Sequence, residues 1–259
     1  MQDSLPIGTT IAGAVLAPLL ATMLAYAMGG PGERRDYEGL VPFGIASAIV
    51  AMAIHFISGR VWPPQTDAVA NPIWPAITRA FVRAALVEEG IKISAFLLWL
   101  RMARRPQPRD ALFAAVAIAM TFAAMENFNF LLRDVSHVEP LLRDAAIRSL
   151  LSTPSAAADS FVVGIWAAVG IAEKGRVVVA RVLTGLAFAI LAHGVWDASA
   201  FLAAPFFPTG DASSWSAAPA WTFVAGGMLA SISIDTLGLV IGMQRLALSG
   251  VRFRLPYRF

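Results

Sequence analysis

Stretches of about 20 predominantly apolar residues, the length of helix that crosses a bilayer, recur from one end of this 259-residue chain to the other. Read between polar, Pro and Gly breaks, they fall at about 7–29, 40–59, 76–100, 110–132, 147–171, 177–203 and 218–247. Gly29-Gly30-Pro31-Gly32, Pro63-Pro64, Pro106-Gln107-Pro108 and the run from Pro205 to Gly210 supply the breaks. No polar segment between them is long enough to fold by itself. The pattern therefore predicts an all-α fold: a polytopic transmembrane helical bundle of about seven spans, with eight as the alternative count, forming one integral membrane domain over 1–259. Charged residues make up only 14% of the chain, against roughly 25% in a soluble protein. The first span lacks a basic segment before it and is too long for a signal peptide, so it reads as a retained helix. Trp62, Trp74, Trp215 and Trp221 fall near span ends, where an indole anchors at the interface.

Charge orients the bundle. One side holds Arg34, Arg35, Arg101, Arg104, Arg105, Arg109, Lys174, Arg176, Arg181, Arg245, Arg252, Arg254 and Arg258, and the other Arg60, Arg133, Arg143 and Arg148. Thirteen against four places the N-terminus outside and the C-terminus inside. The formal charge of +3 does not point to nucleic acid, because the Arg clusters sit just beyond apolar spans, where anionic lipid heads lie. The absence of cysteine excludes disulfides, thiolate metal ligands and a cysteine nucleophile.

An ionisable side chain near the bilayer centre costs about 2.5–3.5 kcal/mol on insertion scales, so the polar residues inside the spans carry the information. They are Glu88, Glu89 and Lys92, then Glu126 and Asn127, Asp159, His193 and Asp197, and Asp235. At a rise of 1.5 Å per residue, Glu88 lies about 18 Å, Glu126 about 9 Å, His193 about 12 Å and Asp197 about 6 Å from the outer ends of their spans. These depths allow one shared site. Spacing of four aligns Glu88 with Lys92 and His193 with Asp197, while Glu89 points about 100° away from Glu88. Bland readings stand beside this one: an i,i+4 ion pair for Glu88 and Lys92, interhelical hydrogen bonding for Glu126, Asn127 and Asp235, and a structural histidine at 193. His55 and His137 read as structural or solvated.

The run Glu88-Glu89-Gly90-Ile91-Lys92, then Phe122 with Glu126-Asn127 four residues on, then His193-Gly194-Val195-Trp196-Asp197, resembles in order and spacing the motifs of the PrsW family. The resemblance covers about 80–200. It also places the chain near the wider clan of CAAX-processing and bacteriocin-processing membrane enzymes. It implies a protease-like core over about 76–203, an intramembrane endopeptidase in a bacterial cytoplasmic (inner) membrane, and a transmembrane protein substrate, an anti-sigma factor being one type. One departure stands out. Where the resemblance expects a histidine after Ser152-Thr153-Pro154-Ser155, this chain has Ala156. Either Asp159, one turn further on, substitutes in part, or the chain is an inactive branch.

The resemblance, joined to the chemistry of amide hydrolysis, gives each site residue a role. Glu88 is the base that activates water, and Glu89 supports it through Lys92. Glu126 and Asn127 position water or substrate. His193 donates to the oxyanion or leaving amine, with its tautomer set by Asp197. No cofactor is favoured. The alternative is a divalent metal such as zinc on Glu126, His193 and Asp197, with Glu88 as base. Two other classes compete. A proton-coupled transporter would use the same buried carboxylates but would show repeat symmetry. An inactive scaffold would bind a partner helix through a small-residue face such as Gly185, Ala189 and Ala192.

Overall fold

A computed structural model describes residues 39–61, 73–103, 106–133, 148–203 and 218–250, with isolated positions at 15, 16, 18 and 145. Among the described residues the secondary structure is helical throughout. Helix α1 is Leu40–Val61. Helix α2 is one continuous run in three parts: Ile73–Thr78, a π-helical stretch at Arg79–Ala85, and Leu86–Met102. Helix α3 is Pro108–Arg133, α4 is Thr153–Lys174 with a π-helical turn at Arg148–Ser152 leading into it, α5 is Val179–Ala203, and α6 is Ala218–Leu248. These match six of the expected spans. The expected span at 7–29 lies outside the described residues, as do His137, Trp62 and Trp215.

The helix starts follow local chemistry. Pro108 and Pro154 stand in first turns, where a missing N–H costs nothing. The Gln107 backbone N–H donates to Asp110 Oδ2 at 2.7 Å, the reciprocal half of a capping box.

Five helical segments, Leu40–Gly59, Pro108–Leu132, Arg148–Lys174, Val179–Ala203 and Ala220–Leu248, are long and apolar enough to cross a membrane. Helix α2 carries Arg79, Arg83, Glu88, Glu89 and Lys92 in its first two-thirds. Composition alone would not mark it as a span. It is held by its neighbours, packing against α1, α3 and α5.

Helix α4 is the centre of the bundle, in contact with α3, α5 and α6. Its Val162, Ala167, Ala168 and Val169 are fully enclosed. Lipid is as apolar as leucine, so helices associate by close packing rather than by hydrophobic expulsion, and small residues mark the contacts. At Gly185 of α5 a Cβ would stand 2.8 Å from Val163 Cα, so only glycine lets α5 lie this close to α4. Ala189 and Ala192 continue that contact and are fully buried. The small-residue face expected to suit a partner helix is thus consumed inside the fold. The outward faces of α1 and α6 instead present large apolar side chains, among them Ile49, Ile57, Leu229 and Leu237, as a bilayer-facing surface does.

Candidate active site

The ionisable residues of five helices meet at one end of the bundle. His55, Glu126 and Asp197 lie in the last turns of α1, α3 and α5, while Glu88 and Asp159 lie past the starts of α2 and α4. Alternating helix directions bring all of these to the same side. They line an open cavity of about 560 Å³ whose wall also includes Met52, Phe56, Phe122, Phe130, Trp196 and Phe201.

Behind two of the lining residues, Lys92 and His193, lies Glu89, 2% exposed. Its Oε1 accepts from Lys92 Nζ at 2.5 Å and from His193 Nδ1 at 2.7 Å. Lys92 lies with its ammonium 5.2 Å from the Phe122 ring centroid, a cation–π contact that gives the phenylalanine of the second motif a place. The expectation for this pair needs correction. Lys92 bonds Glu89 at i,i+3, not Glu88 at i,i+4. Both spacings put side chains on neighbouring positions of a helix, and the side facing Phe122 and His193 decides between them.

The tautomer of His193 is also set differently from expectation. Because a carboxylate only accepts, the bond to Glu89 places the proton on Nδ1 and leaves Nε2 facing the cavity. Asp197 Oδ2 is 3.5 Å from Nε2 and Glu88 Oε2 is 3.8 Å from it. Asp197 therefore stands beside the cavity-facing nitrogen rather than behind the ring. Phe81, from the π-helical stretch, packs where a Cβ on Gly194 would be, so the glycine next to His193 lets α2 and α5 close on each other.

Glu88 occupies the cavity wall, separate from the Glu89 cluster. Its Oε1 receives a hydrogen bond from His55 Nε2 at 3.0 Å. His55, expected to be structural or solvated, is thus brought into the site. The available signal was an imidazole within an otherwise apolar span, where a polar ring is expensive.

Glu126 and Asn127 divide in function. Glu126 faces the cavity and pairs with Arg148 at 3.5 Å. Asn127 is buried; its Nδ2 donates to Thr153 Oγ1 at 3.2 Å, and its Oδ1 accepts from Arg148 at 3.2 Å. Arg148, counted among the outer loop charges, turns inward over the Phe130 ring, 3.4 Å from its centroid. Asn127 thus ties α3 to the start of α4.

Ala156 lines the cavity, as does Asp159 one turn on. Asp159 is 2% exposed and has an Oδ1 with no hydrogen-bond partner among the described residues. One ligand atom each from Glu89, Asp159 and His193 lie within 4.8 Å of one another. Among the described residues the ligand atoms that are all mutually close enough to hold one ion are those of Glu89, Asp159 and His193, where sequence suggested Glu126, His193 and Asp197.

A family model described as PrsW family intramembrane metalloprotease matches residues 39–225. No curated protein and no solved structure matches the chain.

Proposed function

The chain belongs to the PrsW family of intramembrane proteases, and on that premise we propose that it is an endopeptidase in which Glu88 activates water inside the membrane. The observation that carries this reading is the gap between Glu88 Oε2 and His193 Nε2. At 3.8 Å it is too long for a direct hydrogen bond and wide enough for one oxygen to bridge both groups. Glu88 takes a proton from that water as the oxygen bonds to the scissile carbonyl carbon. Glu88 passes that proton to His193 Nε2, and as the C–N bond breaks Nε2 delivers it to the leaving amine, returning the ring and Glu88 to their starting forms. Glu89, behind Nδ1, stabilises the ring while it carries the extra proton, and Lys92 balances the charge of Glu89. Glu126, held by Arg148, and Asp197 position substrate at the cavity, while Asn127 fixes Arg148.

The family description implies a metal, and the residues fit one in kind. Glu89, Asp159 and His193 offer two carboxylates and an imidazole, a three-ligand set that leaves a position open, and the unpartnered Oδ1 of Asp159 is a free donor. A divalent ion held there would polarise the carbonyl and acidify water. Lys92 on Glu89 works against it, since an ammonium within hydrogen-bond distance repels a second cation. This contact favours the glutamate-activated route and keeps the metal route as the second reading.

The site lies at the end of the bundle that the Arg distribution puts outside. A single-pass membrane protein, an anti-sigma factor being one type, would be cut near its extracytoplasmic boundary, in a bacterial inner membrane. The whole chain, 1–259, acts as one membrane domain. The scaffold reading loses its docking face, because Gly185, Ala189 and Ala192 are covered by the fold itself.

The test is cleavage of single-pass substrates by the purified protein in lipid. Wild type is compared with Glu88→Gln, Glu126→Gln and His193→Ala, each checked for folding, with and without chelator. Loss of cleavage in folded Glu88→Gln and His193→Ala is expected, with chelator ineffective. Inhibition by chelator, restored by zinc, would replace the glutamate route with the metal route. Cleavage by Glu88→Gln at the wild-type rate would refute both.

A further inference from the structure

We infer that His55 of α1 is the positioning residue for Glu88, an inference that rests on the proposed role of Glu88 as base. A glutamate carboxylate turns about a broad terminal torsion, so burial alone does not aim its lone pairs. The His55 Nε2–H, 3.0 Å from Oε1, pins the plane of the carboxylate. Oε2 is then left facing His193 across the 3.8 Å gap. His55 is itself held. Ser58 Oγ donates to the His55 carbonyl at 3.2 Å, and Arg83 on α2 reaches Ser58 Oγ at 3.5 Å, so the helix carrying the histidine is tied to the helix carrying the base. The imidazole is 34% exposed, and it lines the cavity beside Glu88. A histidine serving packing alone would have no reason to present Nε2 to a buried carboxylate facing the cavity. Two histidines thus flank one glutamate: one fixes an oxygen, and the other shares the reacting oxygen with it.

The chain has three histidines, so ¹⁵N-histidine labelling of the full protein in lipid nanodiscs gives three ring systems to assign. The expected spectrum has one ring protonated at Nε2 that disappears in His55→Leu and shifts in Glu88→Gln. A His55 ring protonated only at Nδ1, or one indifferent to Glu88→Gln, overturns the inference whatever the cleavage result. Kinetics then use a fluorescein-labelled single-pass reporter library with a randomised outer juxtamembrane segment, co-reconstituted with the protein. His55→Leu is expected to lower kcat about 100-fold, with KM within about twofold. His55→Gln, whose amide N–H reaches the same oxygen, should recover to within about tenfold of wild type. His55→Leu with wild-type kcat beside an inactive Glu88→Gln would refute the inference and leave the proposed function standing. An active Glu88→Gln, or a wild type that cuts no member of the library, would remove the proposed function and this inference with it.

Discussion

Replacing Lys92 by methionine separates the two adjacent glutamates. Lys92 is 5% exposed and Glu89 2% exposed, so the substitution leaves a carboxylate in a nearly dry site with the His193 Nδ1–H to answer it. Removing one partner of a buried ion pair costs about 3–5 kcal/mol. At about 2–4 °C per kcal/mol for a chain of this size, Lys92→Met should lower the melting temperature by roughly 6–20 °C. The seven tryptophans report unfolding by fluorescence in detergent or lipid. Neutralising Glu89 as well should remove the stranded charge, bringing Glu89→Gln/Lys92→Met to within about 1–2 kcal/mol of wild type, because replacing both partners of a buried pair is often close to neutral. Glu88→Gln/Lys92→Met should give no such recovery. Rescue by the Glu88 double variant, or a Lys92→Met protein as stable as wild type, would refute the assignment of Lys92 to Glu89.

Two further outcomes follow from the packing. Arg148→Met removes the partner shared by Glu126 and Asn127 and should destabilise by about 1–3 kcal/mol, read in the same unfolding assay; an unchanged midpoint would mean that the inward Arg148 geometry is wrong. Gly194→Ala forces a methyl into the Phe81 ring and should cost about 1–3 kcal/mol, whereas Gly90→Ala, with nothing within 4 Å of the new Cβ, should gain about 1 kcal/mol from helix propensity. Equal effects at the two glycines would argue against the close contact of α2 with α5.

The spans were legible because length and apolarity are properties of the local sequence, and the bilayer imposes them. Helix α2 is the instructive case. Its charges would disqualify it by composition, yet the apolar residues between them and the breaks around it marked it as a helix. The partners of its charges were not legible, because spacings of three and four are both permitted and the choice depends on Phe122 of α3 and His193 of α5. The tautomer of His193 was missed for the same reason: its partner lies 104 positions earlier in the chain. His55 belongs to no motif, and the contact that gives it meaning is made by a glutamate 33 residues away. Asp159 was marked as an ionisable residue inside a span, and again by its place one turn after Ala156, but its closeness to Glu89 is a fact of how α4 enters the bundle.

That entry, like the start of α2, runs through π-helical backbone, at Arg148–Ser152 and Arg79–Ala85. Such a stretch takes up more residues per turn than the α-helix that follows, so it works as a phase shifter between two parts of one rod. Arg79, Phe81 and Arg83 lie within the shift, and Glu88 and Glu89 follow it. Deleting a single residue from Arg79–Ala85 would rotate the mouth against the glutamates by about 100° without removing any of them. The aim of the two carboxylates, one toward the cavity and one toward the core, is therefore written into a stretch of chain that contains neither.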